Sequence, residues 1–189
     1  DGTYGTSAED VKEIFKQVSA RIDANESVPI KHLLLYGHGG LTAEDSAIQK
    51  VADLRPTLLE SGVYPIAFIW RTDLWSTIRN ILQDAVTRRR PEGFLDNAKD
   101  FMLDRLDDGL EPIARAAGGH RVWAEMQQNA ELASQKNGGL LVALNEVKAL
   151  TERHPSLKVH LVGHSAGSIL LGGLAGANQA AGRAVTFET

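Results

Sequence analysis

Residues 163–167 read Gly163-His164-Ser165-Ala166-Gly167, preceded by the apolar run Val159-His160-Leu161-Val162 and followed by Ser168-Ile169-Leu170-Leu171. A serine lifted on a tight strand-to-helix turn needs small residues two positions before and after it, and Gly163 and Gly167 meet that demand. Such a turn serves acyl transfer. The Ser165 hydroxyl attacks a carbonyl, and backbone N–H groups at the start of the following helix stabilise the oxyanion that forms. The N–H of Ala166 is one natural donor. A second must come from another loop, and Gly37-His38-Gly39-Gly40, after the run Leu33-Leu34-Leu35, lets a backbone come close to a substrate carbonyl.

Both turns need strands to carry them. Buried-strand patterns lie at residues 31–36, 64–70 and 158–162, and helical spacing lies at 7–25, 43–61 and 140–153. This alternation predicts an α/β fold, a predominantly parallel sheet flanked by helices, with its chemistry at the C-terminal edge of the strands. Ser7 with Asp10, or Thr6 with Glu9, forms a capping pattern for the first helix, and the second helix is expected to break near Pro56. Residues 184–189 read as the opening of a further strand. Small residues after the turn, Gly167, Ser168, Gly172, Gly173, Ala175 and Gly176, are expected to let their helix pack closely on the sheet.

Eighty-seven residues separate Trp70 from Lys158, far more than a minimal parallel crossover of about 10–12 needs. The expected division is therefore a core of 1–70 with 139–189 and a helical insertion over 71–138, with helices near 74–86, 94–117 and 122–133. The insertion's aromatic residues, Trp75, Phe94, Phe101 and Trp123, suit a subdomain that buries its own apolar faces; the sharper reading is a lid over an acyl pocket. Arg71 and Asp73, after Trp70, either pair with each other or line that pocket.

His38-Gly39-Gly40 followed by Gly163-His164-Ser165-Ala166-Gly167, on successive strands, resembles the α/β-hydrolase superfamily. The resemblance spans about Lys31 to Leu171, interrupted by the insertion. It implies that Ser165 is the nucleophile, that Ala166 and Gly39 or Gly40 donate to the oxyanion, and that His38 orients its loop. It also implies an acid and a histidine later in the chain. The twenty-four residues after Ser165 hold no histidine and one acid, Glu188, so the acid and base are expected beyond Thr189. His38 as a direct base and Glu188 as the acid are minor alternatives.

The implied activity is hydrolysis of a carboxylic ester or related acyl substrate. A catalytically inactive scaffold that uses the insertion to bind a partner, and an acyltransferase or thioesterase, are the rivals. No cofactor is expected: no histidine–carboxylate cluster has metal-ligand spacing and no phosphate-binding lysine follows either glycine-rich turn. The absence of cysteine excludes disulfides and a cysteine nucleophile. Twenty basic against twenty-four acidic residues give a net charge of −4, which offers no case for nucleic acid; Arg88-Arg89-Arg90 reads as a solvated helix end. The chain has no uninterrupted apolar run of the roughly 18–20 residues a membrane span needs. The cytoplasm is the expected location, although Asp1 is not a methionine and a preceding leader stays open.

Overall fold

The computed structural model describes residues 5–24, 27–39, 44–69, 119–135 and 138–188. Its elements run α1 (Ala8–Asp23), β1 (His32–Gly37), α2 (Glu44–Glu60), β2 (Val63–Phe68), α3 (Gly119–Ser134), α4 (Gly139–Arg153), β3 (Lys158–Gly163), α5 (Gly167–Ala180) and β4 (Phe187–Glu188). The four strands form one all-parallel sheet in the order β2-β1-β3-β4, an α/β architecture with helices between the strands. No helix among the described residues is long and apolar enough to cross a membrane.

The chain divides into two compact units, residues 1–72 with 127–189, and residues 73–126. Of the second unit the described part is the first half of α3, and the helices expected at 74–86 and 94–117 lie outside the described residues, as do Trp70, Arg71 and Asp73.

In the first unit the core forms on one face of the sheet. Leu33 and Leu35 of β1 and Val159 of β3 are essentially inaccessible and pack with Phe15 and Val18 of α1, Leu144 and Val147 of α4, and Leu170 and Leu174 of α5. The Leu33-Leu34-Leu35 run carries no polar alternation, yet burial along β1 alternates, with His32, Leu34 and Tyr36 only half-buried. One face of the strand is therefore tightly covered and the other loosely.

Local chemistry explains the element boundaries. The Asp10 N–H donates to Ser7 Oγ at 3.1 Å, and the Ser7 N–H donates back to Asp10 Oδ2 at 2.8 Å, so a full capping box starts α1. These Ser7 backbone and side-chain bonds hold the Asp10 carboxyl below its ordinary pKa of 3.8. The break expected near Pro56 does not occur, and α2 runs through it. Proline removes the hydrogen bond to the carbonyl of Ala52, but residues 52–57 are all exposed, so this stretch of the helix faces solvent, where an unpaired carbonyl costs little.

A buried amide fixes the approach to β4. Asn178, 5% exposed, donates from Nδ2 to the Val185 carbonyl at 2.7 Å and accepts the Val185 N–H on Oδ1 at 2.9 Å. Asn178→Ala leaves both buried groups without partners, and urea denaturation should show a loss of about 2–4 kcal/mol.

Candidate functional site

Strand order brings the two glycine-rich turns together. β1 and β3 are hydrogen-bonded neighbours in the register Leu33↔Val159, Leu35↔Leu161, Gly37↔Gly163, so both strands end level at the C-terminal edge. Beyond the ladder the His164 N–H still donates to the Gly37 carbonyl at 2.9 Å, which clips one turn to the other.

The contact leaves no room for side chains. A Cβ on Gly163 would lie 2.6 Å from Ser168 Cα, and one on Gly167 would run into the carbonyl of Gly37. Both obstacles are backbone, which cannot swing aside as a side-chain tip can. Between these glycines Ser165 is exposed and has φ +52°, the left-handed region. An L-residue there costs roughly 1–2 kcal/mol.

The turn is stapled by its own backbone. Gly167 N–H donates to His164 O at 2.9 Å, Ser168 N–H to Ser165 O at 2.9 Å and Ile169 N–H to Ala166 O at 3.1 Å; the Ser168 hydroxyl adds a second bond to Ser165 O at 2.6 Å. These bonds use the amides that a helix N-terminus otherwise leaves unpaired. Among the described residues, neither the Ala166 N–H nor the Gly39 N–H donates to a backbone carbonyl. The two expected donors, one on each turn, are thus not consumed by backbone bonding among the described residues.

His38 is 1% exposed, and its Nδ1 lies 2.9 Å from the Gly39 carbonyl. A carbonyl only accepts, so Nδ1 carries the proton and the imidazole braces the bend before Gly40, which itself lies outside the described residues. The His164 ring lies against the same loop, since a Cβ on Gly39 would sit 2.6 Å from His164 Nδ1.

No imidazole or carboxylate among the described residues hydrogen-bonds the Ser165 hydroxyl. His32 pairs with His160 across the sheet, and Glu188 stands opposite His160 in the β3–β4 register. Glu188 is thus about 10 Å along the strand short of the edge that carries the turns.

His154 belongs to a separate cluster: its Nε2 is 2.9 Å from the Ser19 hydroxyl and its Nδ1 is 3.9 Å from Asp23, which Arg153 engages at 2.8 Å. Serine, histidine and aspartate meet there in order, but Ser19 lies inside α1, where helical bonding consumes the nearby amides, and it is 8% exposed. The cluster ties α1 to α4 beside a groove of about 390 Å³ lined by Lys12, Phe15, Ser19, Asp23, Glu146 and Arg153. No residue of either glycine-rich turn lines it.

For two residues the sequence names, Gly37 and Ser168, the structure gives roles that the sequence does not. Gly37 needs to be glycine because its Cβ would lie 2.8 Å from Gly167 O, and Ser168 locks the carbonyl of Ser165. A glycine closing the first strand was the available signal for one; nothing local marks the other.

The close packing expected of the later small residues applies to Gly173 alone among the three later glycines: its Cβ would meet Ser134 Oγ at 2.6 Å, on α3 and not on the sheet. Gly172 and Gly176 meet nothing among the described residues. Comparison of the chain with protein-family models, with curated proteins and with solved structures gave no match in any of the three.

Proposed function

We propose that this protein is a serine hydrolase of the α/β-hydrolase type, acting on a carboxylic ester or related acyl substrate through an acyl-enzyme on Ser165. The observation that carries the reading is the conformation of Ser165: an exposed serine held at φ +52° at the C-terminal edge of a parallel sheet. Strain at a position that a glycine would occupy more cheaply persists where the side chain serves a purpose.

In this mechanism the Ser165 Oγ adds to the substrate carbonyl and its proton passes to a base. The resulting oxyanion takes the N–H groups of Ala166 and Gly39, or Gly40, at the positive end of α5. Collapse expels the alcohol, which carries away the proton held by the base. Water then adds to the acyl-enzyme and gives one proton to the base; collapse releases the carboxylic acid, and the base returns that proton to the Ser165 Oγ. His38 holds the loop through the Gly39 carbonyl and is not the base.

Transfer to an acceptor other than water, or attack on a thioester, uses the same atoms. The rival is an inactive scaffold, favoured by the lack of any described imidazole or carboxylate bonded to Ser165. The full-length protein, assayed on p-nitrophenyl esters and acyl thioesters of graded chain length, separates these readings. A burst of nitrophenol that disappears in Ser165→Ala is expected; turnover that survives Ser165→Ala, or none on any member of the series, contradicts the hydrolase.

A further inference from the structure

A second chemically distinctive pair sits on the sheet away from both turns. The rings of His32 and His160 meet with Nδ1 of His32 2.9 Å from Nε2 of His160 and with centroids 5.1 Å apart. The register explains the meeting: His32 pairs with Lys158 and Leu34 with His160, so the two histidines are diagonal neighbours on adjacent strands. They share the face opposite Leu33, Leu35 and Val159, the loosely covered one, and each is half-buried. Their positions are 128 residues apart in the chain, so no spacing rule reveals the pair.

Two neutral imidazoles at this distance need one nitrogen to donate and the other to accept, so the contact is organised around one shared proton. Two nitrogen lone pairs that converge on a proton also converge on a divalent metal, for which neutral imidazole is the commonest ligand. Zinc–nitrogen bonds of about 2.0–2.1 Å at a tetrahedral angle place the two nitrogens about 3.3 Å apart. From 2.9 Å that is an opening of about 0.4 Å, with each ring turned by about 35° so that both lone pairs aim at the metal instead of at each other.

The geometry points to His32 and His160 as a two-imidazole site for a borderline divalent transition metal, Zn²⁺, Cu²⁺ or Ni²⁺. Imidazole donors without thiolate suit these ions and disfavour Mg²⁺ and Ca²⁺. Among the described residues no group of three or more histidine, aspartate or glutamate side chains is placed to hold the ion, so water or an exogenous anion fills the remaining positions. Glu188, opposite His160 in the register, is the nearby carboxylate on that face, and Lys158, opposite His32, is the cation that opposes binding. A bound metal would cross-link β1 to β3, the two strands whose far ends carry the glycine-rich turns. The site does not depend on whether Ser165 is a nucleophile.

The test titrates Zn²⁺ into the full chain labelled with ¹⁵N-histidine, following ring nitrogens by NMR with each ring assigned through its own backbone. The ring nitrogens of His32 and His160 should shift together and saturate at one equivalent, ahead of the other four histidines. His32→Gln and His160→Gln should each weaken Zn²⁺ binding by at least about tenfold, the lower end of what losing even an outer-shell partner costs. His164→Gln, which removes an exposed imidazole at the opposite end of β3, should leave it unchanged. Unmoved His32 and His160 signals at one equivalent, earlier shifts elsewhere, or full affinity in either folded glutamine variant would overturn the site. The wild-type spectrum decides the matter if those variants fail to fold.

Discussion

A Ser165→Gly variant should be more stable than the parent by about 0.5–1 kcal/mol and should lose ester turnover by roughly 10³-fold or more. The gain follows from φ +52°. Glycine occupies this region without the roughly 1–2 kcal/mol that serine incurs there, less the larger entropy glycine has in the unfolded chain. The loss follows because no hydroxyl remains to form the acyl-enzyme. The two effects together are diagnostic. An ordinary surface serine lost to glycine gives neither, and a purely structural serine gives destabilisation. Urea denaturation and turnover of a p-nitrophenyl ester, read on the same preparation, check both halves.

Gly167→Ala should be the most damaging single-methyl addition in the described core, destabilising by about 3 kcal/mol or more and lowering turnover with it. The new methyl group would run into the carbonyl of Gly37 and press on that of His38. Neither can retreat without breaking the bond from His164 N–H to Gly37 O or shifting β1 against β3. Overpacking a well-packed core costs about 1–3 kcal/mol, and backbone against backbone belongs at or above the top of that range. Gly172→Ala, five residues along the same helix, meets nothing among the described residues and should instead stabilise by up to about 1 kcal/mol. Opposite signs from one chemical change in one helix would show that contact with the first turn, not helix propensity, governs position 167.

The sequence made the pieces of this arrangement legible and left their assembly hidden. Strand positions followed from continuous apolar runs, and the cap at Ser7 followed from a three-residue spacing; both are local signals. Strand order is not local. That β3 lies beside β1, and that Gly37 stands opposite Gly163, depends on pairings more than a hundred residues apart in the chain. The same limit hid the His32–His160 contact, the Ser19–His154 clasp and the need for glycine at Gly37. Pro56 misled for another reason. Its rule is sound for a helix interior shielded from water, and α2 presents this stretch to solvent. The glycines after the turn show the converse: composition suggested one packing role for several residues that the structure separates into Gly167, pressed on a backbone, Gly173, pressed on α3, and the open Gly172 and Gly176.

The two glycine-rich turns were legible because each is a short local pattern at a strand end, whereas a base for Ser165 has no local signature. An imidazole is recruited by three-dimensional placement, and each histidine whose contacts are described is otherwise engaged or lies off the hydroxyl. His38 braces Gly39, His164 lies against the same loop, and His32, His160 and His154 serve the sheet and the α1–α4 clasp.

Covalent labelling of the full-length protein with a fluorophosphonate, followed by peptide mapping, tests the central assignment most directly, because it reads nucleophilicity and oxyanion stabilisation at one atom without requiring the natural substrate. A single adduct on Ser165 is expected, absent from heat-denatured protein and from Ser165→Gly. A folded protein that takes up no label, or takes it on another residue while Ser165 stays unmodified, would contradict it.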